Sequence, residues 1–343
     1  MKRHHNTLFV TTQGAYLASE GETVVVRVEQ EDRMRLPLHM LEGIVCFGRV
    51  SCSPALMGHA SEHGIGISFL SERGRFLARV QGPVSGNVLL RRQQYRLADD
   101  PSAPAALAQA FVVAKVANCR SVLLRAARDH PDAGGRDAID AAAASLGRKL
   151  EDLQPGILLD EVRGIEGDAA RTYFEVFDHL IVSQKDDFRF AGRSRRPPLD
   201  NVNALLSFVY VLVTHDACSA LEAVGLDPQV GFLHRDRPGR PGLALDLVEE
   251  FRPFLADRLV LSLINRRQVQ GGGFIRGETG GIVMDDDTRK TVLVAYQERK
   301  QEEIKHPFLG DETTVGMLFH LQALLLARHL RGDLDGYPPF IWK

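Results

Sequence analysis

"ADDPSAPAA", residues 98–106, separates two kinds of apolar pattern, and that separation decides the fold. Asp and Pro cluster in it as they do in linkers. Before it, Leu8 to Thr12, Ala15 to Ala18 and Thr23 to Val28 are short β-branched or aromatic runs broken by turn formers such as "SEGE" at 19–22. "GIVCFG" (43–48), "GIGISFL" (64–70) and "RFLARV" (75–80) continue the series, the last two joined by the turn "SERGR" (71–75). One short helix is expected over Ser53 to His63. After the linker, apolar residues recur at three- and four-residue spacing in 107–127, 136–153, 167–181, 202–225 and 316–332. The expected class is α+β: a small N-terminal β-sandwich-like domain, residues 1–99, then a larger, mainly α-helical domain, residues 104–343. Two interruptions stand in the second part, the Arg-rich "FRFAGRSRRPPLD" (188–200) and the Gly-rich "GGGFIRGETGGIVMD" (271–285), which reads as a hairpin.

A chain of 343 residues with 44% hydrophobic and 25% charged residues has the composition of a folded globular protein. The longest apolar run, Ala204 to Val213, is shorter than the roughly 20 residues of a membrane span. The start carries no charged-apolar-small leader, so a cytoplasmic protein without membrane contact is expected. Four cysteines without C-x-x-C spacing fit reduced thiols rather than a zinc ribbon. A net charge of −2 gives no overall basic footprint for nucleic acid. Of the 42 basic residues, however, 34 are Arg, whose planar fork suits phosphate. GC-rich codon usage would enrich Arg as well, so positions carry the argument, not the number.

In "GFLHRDRPGRPGLALDLVEEFRP" (231–253), Asp246 interrupts an aliphatic run. A buried carboxylate is costly unless paired or coordinated, so the stretch asks for a cation. Glu249 lies three residues on, on the same helical face. His234 precedes them by a loop punctuated with two Pro-Gly pairs, which can fold it back over the helix start. Two hard oxygens and an imidazole, without thiolate, suit Mn²⁺ or Mg²⁺. The plainer alternative is an amphipathic helix with solvated acids. Glu166, between Gly164 and Gly167 and directly before a helical pattern, is a third acid that a substrate could approach, or simply an acid favoured by the helix dipole. If these acids form a metal cluster, Asp246, Glu249 and Glu166 are expected to repel one another in its metal-free state.

Arg193, Arg195 and Arg196 form a cationic loop, expected to be mobile, that can clamp phosphates. Arg235, Arg237 and Arg240 flank His234. "HASEH" (59–63) has the H-x-x-E-H form of an inverted zinc-peptidase site through His59, Glu62 and His63, but it sits between strands rather than in a long helix beside a cavity. The Gly-rich stretch at 271 lacks the pattern of a nucleotide loop.

The ordered motifs "GIEGDAARTYF" (164–174), "RRPPLDNVNALLSFVY" (195–210), "GFLHRDRPGRPGLALDLVEEFRP" and "KHPF" (305–308) resemble the CRISPR-associated adaptation integrases, the Cas protein numbered one. "NTLFVTTQGAYL" (6–17) and "LDGYPPFIWK" (334–343) are similar to subtype I-C members. The resemblance implies an N-terminal β domain that makes a homodimer and a helical catalytic domain. It implies a metal site of Glu166, His234 and Glu249, with Asp246 as a supporting acid near the same metal. It also implies a small ferredoxin-like Cas partner subunit, numbered two, and insertion of short DNA fragments into a CRISPR array, with double-stranded and branched DNA as substrates. The rival readings are a non-catalytic DNA-bending dimer and the zinc peptidase.

Overall fold

The computed structural model describes residues 6–72, 76–80, 82, 88–100, 102–131, 134–277 and 280–342. The chain divides into two compact units, residues 1–85 with 284–302 and residues 86–283 with 303–343.

The first unit opens with β1 (Asn6–Val10), β2 (Tyr16–Glu20), β3 (Thr23–Val28), β4 (Glu31–Pro37), β5 (Leu41–Phe47), β6 (Ser51–Cys52), α1 (Pro54–Glu62), β7 (Gly66–Leu70) and β8 (Phe76–Val80). They form two four-stranded sheets, ordered β1-β5-β7-β8 and β4-β3-β2-β6. β1, β5 and β7 run parallel, and β8 closes that edge antiparallel. Alternation along each strand sends one set of side chains inward. Leu17 and Val24 from one sheet, Ile44 and Ile67 from the other, and Leu56 and Ala60 from α1 share a single core. The helix starts where the sequence placed it: Ser53 Oγ accepts from the Leu56 amide at 3.1 Å, and Pro54 occupies the first turn. The β-sandwich-like expectation thus takes the form of two mixed sheets over one core. Part of the turn 71–75 lies outside the described residues.

The second unit begins with α2 (Val88–Asp99), α3 (Ala103–Asp129), α4 (Arg136–Asp152), α5 (Leu159–Glu175), α6 (Asn201–Ala223), α7 (Gly242–Phe251) and α8 (Arg258–Asn265), with a π-helical turn at 252–257. In chain order come the hairpin β9 (Phe274–Arg276) and β10 (Ile282–Met284), as the Gly-rich stretch suggested, α9 (Asp286–Gln301), which belongs to the first unit, and then, in the second unit again, the pair β11 (Glu303–Lys305) and β12 (Glu312–Thr314) and α10 (Leu318–Leu330). α3 is the axis of the helical unit and packs on α2, α4, α5 and α7, while α6 packs on α7, α8 and α10.

Two elements fall on the other side of the sequence boundary. α2, counted within 1–99, belongs to the helical unit, and α9, counted within 104–343, belongs to the sheet unit. There the Arg289 guanidinium donates to the Glu72 carbonyl and Lys300 Nζ lies 3.4 Å from Thr7 Oγ1. A linear boundary cannot register a helix that returns across 200 residues. α3 and α6 are also long and apolar enough to cross a bilayer, which a count of uninterrupted runs overlooks; more than half of each apolar stretch is buried within the fold.

Candidate functional site

α7 answers the question posed by Asp246. Leu243, Ala244, Leu247, Val248 and Phe251 are all buried, and Asp246, Glu249 and Glu250 are buried with them, at 0%, 1% and 0% exposure. Asp246 is not left without donors. Its Oδ2 accepts from the backbone amides of Phe232 and Leu233 at 2.6 and 3.0 Å, and its Oδ1 from the His234 amide at 3.0 Å. The same Oδ1 lies 2.7 Å from His234 Nδ1. The loop can fold this closely because Gly231 has no side chain: a Cβ there would stand 2.7 Å from Asp246 Oδ2. Asp246 therefore needs no metal of its own. It pins the loop and commits His234 Nδ1, which leaves Nε2 facing outward, 3.9 Å from Glu249 Oε1.

Glu166 is delivered by α5, but not from a helix start. It is the eighth residue of that helix, and Gly164 and Gly167 lie inside it. The helix-dipole explanation for this acid therefore does not apply. Between Glu166 and Glu249 stands Lys115 of α3, a residue the sequence reading missed. Its Nζ pairs with Glu166 Oε1 and lies 2.7 Å from Glu249 Oε2. Arg252, in the π-helical turn, places a guanidinium nitrogen 2.7 Å from Glu249 Oε1 and stacks over Tyr210 at 4.9 Å.

These cations reverse the expectation of mutual repulsion. Burial alone would raise Glu249, yet Arg252, Lys115 and His234 hold it down at about 2. Burial would likewise lower Lys115, but Glu249 and Glu166 keep its ammonium above the ordinary value. Among the described residues, no three His, Cys, Asp or Glu donors converge as closely as a metal site requires. The carboxylates are gathered around Lys115 instead. A signal for it existed: Lys115 is the one lysine in an apolar stretch, "AFVVAKVANC" (110–119).

The arginines divide by location. Arg195 lines a narrow cavity with Lys115, Glu166, Tyr210 and Arg252. Arg196, Arg235 and Arg237 are exposed, and Arg235 also pairs with Asp160 at 3.1 Å. Burial lowers Arg240, and the like charges of Arg237, Arg195 and Arg252 lower it further, which records a concentration of positive charge beside the acids. Arg193 differs from the clamp expected of it. It donates to Asn203 Oδ1 at 2.6 Å and to the Ser194 carbonyl at 2.7 Å, and lies 5.1 Å over the Tyr210 ring. Its loop is not loose either, because Asn203 also takes the Ser194 amide and donates to the Gly192 carbonyl, while Phe188 and Phe190 are buried.

His59 lies in the nine-residue α1 and His63 caps its C-terminal end; His59 Nδ1 faces Ser19 Oγ at 2.9 Å, and the carboxylate facing both rings is Glu22 rather than Glu62. Sequence reasoning also passed over Glu250, which accepts from Tyr337, the Phe340 amide and Gln322 at 2.6, 2.7 and 2.9 Å and so fastens the C-terminal segment to α7. Burial pushes its carboxyl up to about 7, although all three bonds favour the ionised form.

The profile of the family described as CRISPR associated protein Cas1 matches residues 8–298. The chain belongs to the Cas1 family. It is 57% identical over 343 residues to CRISPR-associated endonuclease Cas1 1 of Chlorobaculum tepidum, covering 100% of both chains. Its fold is similar to that of a casposase bound to integration product, with a TM-score of 0.84 at 23% identity over 98% of this chain and 94% of the other. A chain of a Cas6-RT-Cas1–Cas2 complex gives a TM-score of 0.82 at 21% identity, covering 100% of this chain and 36% of that one. Membership of the Cas1 family sets aside the zinc-peptidase reading of His59, Glu62 and His63, and the α+β class is the one these structures share.

Proposed function

We propose that this Cas1 protein is a metal-dependent DNA endonuclease and integrase, in which the 3′-hydroxyl of a short DNA fragment attacks a phosphodiester at the edge of a CRISPR repeat. The observation that carries the reading is the pairing of an Asp246-locked imidazole, its Nε2 outward, with two carboxylates from different helices. The donor set fits a divalent ion: Glu166 and Glu249 supply hard oxygens, His234 an available lone pair, and a cradle already built around the positive charge of Lys115. Bound Mn²⁺ or Mg²⁺ would stabilise charge on the phosphorane-like transition state and lower the pKa of the attacking hydroxyl.

The protein's own residues do the rest. Asp246 holds His234 in one tautomer and orientation. Arg195, Arg196, Arg237 and Arg240 position phosphates without reading sequence, and Arg235 extends the same face. Water in place of the 3′-hydroxyl gives strand cleavage. The similarity to a CRISPR-associated endonuclease and to a casposase bound to integration product supports this chemistry.

The fold shared with a chain of a Cas1–Cas2 assembly supports the small partner subunit numbered two. Phe76 and Leu77, about half exposed on the edge strand β8, support homodimerisation through the sheet unit. The two chain ends support a place near subtype I-C, and four free thiols fit the cytoplasm. Incubating the purified protein with branched DNA and Mn²⁺, with and without the partner subunit, tests the proposal: metal-dependent cleavage or joining is expected, and DNA bound but unaltered under all conditions would favour the DNA-bending scaffold.

A further inference from the structure

Lys115 is 6% exposed, and its ammonium bridges the two carboxylates just assigned to a metal. Arg252 backs Glu249 from the other side. Counted together, two anionic and two cationic groups give this cluster no net charge. Asp246, bonded to three backbone amides and the His234 ring, adds one negative charge behind the imidazole. A divalent ion entering the same cradle therefore leaves one positive charge in excess in a largely buried site, and uncompensated buried charge is expensive. An anion must close the balance. The anion that the proposed substrate brings is a DNA phosphate, arriving past Arg195 and Arg240.

We propose that Lys115 is a resident counter-cation: it holds Glu166 and Glu249 in ligand positions, keeps divalent-metal affinity low in the free protein, and makes metal and DNA phosphate bind together. This rests on the reading of Glu166, His234 and Glu249 as a metal site. Lys115 is a positioning residue, acting through the two carboxylates. Its ammonium must give up at least one of them to the metal, and it is then free to meet a phosphate oxygen. The balance explains why an integrase would keep a buried lysine against its own ligands: metal loaded without DNA would be prone to act on any phosphodiester.

The experiment is a Mn²⁺ titration of the intact protein, by calorimetry and by electron paramagnetic resonance, with and without branched DNA. Wild type is expected to bind Mn²⁺ about tenfold or more tightly when DNA is present, and by linkage to bind DNA more tightly by the same factor with Mn²⁺. Lys115→Met removes one charge from the cradle and should tighten Mn²⁺ binding without DNA by about tenfold, so that DNA adds little. Lys115→Arg keeps the charge and should keep the wild-type coupling. If Lys115→Met fails to fold, Lys115→Gln, which retains a hydrogen-bond donor, takes its place. Neutral variants that bind Mn²⁺ no more tightly than wild type, or a wild-type affinity indifferent to DNA, would overturn the proposal. Failure of the underlying metal assignment looks different: Glu166→Ala would then bind Mn²⁺ as well as wild type.

Discussion

Replacing Asp246 with Ala should unfold the loop that carries His234 before it affects any chemistry. The substitution removes the acceptor of four hydrogen bonds, at 2.6, 3.0, 3.0 and 2.7 Å. Two of the orphaned donors, the amides of Phe232 and Leu233, belong to residues only 2% and 4% exposed. An unsatisfied buried donor costs about 1–3 kcal/mol, so these two alone amount to about 4 kcal/mol. That is a large share of the roughly 5–15 kcal/mol that holds a domain folded. Asp246→Asn should be almost as harmful, because its amide nitrogen has to face either the two loop amides or the His234 ring. In the second case the ring can respond only by moving its proton to Nε2, which removes the lone pair a metal needs.

Trp342, the one tryptophan, packs on Phe254 at 5.4 Å and reports on the helical unit alone, which suits a two-unit chain. Urea denaturation followed by its fluorescence gives the difference directly. A loss below about 1 kcal/mol for Asp246→Ala would mean that the loop does not depend on this carboxylate, and the reasoning would be refuted. The double change Asp246→Asn with Glu249→Gln carries the same logic further. Mutual repulsion among the acids would make it stabilising without metal; the pairing of Glu249 with Lys115 and Arg252 makes it strongly destabilising.

Glu166→Ala, His234→Ala and Glu249→Ala should each abolish cleavage and joining of branched DNA, with Glu249→Ala also lowering the melting temperature because Lys115 and Arg252 lose their buried partner. Neutralising Arg195 and Arg196 should weaken DNA binding about equally for all sequences and flatten its dependence on salt, whereas Arg193→Ala should chiefly reduce stability; equal salt slopes in parent and variant would remove the first two from the DNA path. Glu250 has its folded value raised to about 7 from the ordinary 4.5. Its contribution to stability is therefore full below pH 4.5 and lost as pH rises through 7, an effect of about 3 kcal/mol. Melts at pH 5 and pH 8 should show this fall in the parent and a smaller one in Glu250→Gln, and identical pH slopes would show that burial does not control this group.

The β-to-α change at the linker was legible because period two and period 3.6 leave different apolar spacings, and each expected helix in the second part is present. Of the candidate site, the acids and the histidine that the fold gathers were legible, but not the cations that pair with them. A sequence shows Asp246 in an aliphatic run and cannot show the turn of 232–234 that aims three amides at it. Glu166 was misplaced relative to its helix because Gly164 and Gly167 look like breakers, yet α5 carries both in its interior. Lys115 lies 51 positions before Glu166 and 134 before Glu249, and only the packing of α3 between α5 and α7 brings the three together. Arg193 looked like part of a phosphate-clamping loop with Arg195 and Arg196 because nothing in the local sequence reveals Asn203 and Tyr210 as its partners.

Anomalous diffraction from crystals of the protein with branched DNA and Mn²⁺ tests the central assignment most directly. A manganese peak in contact with the Glu166 and Glu249 carboxylates and His234 Nε2, with Asp246 still bonded to the far side of the imidazole and Lys115 Nζ moved off at least one carboxylate, is the expected result. Manganese elsewhere in the chain, with Lys115 still bridging Glu166 and Glu249 in protein that cleaves the DNA, would contradict it.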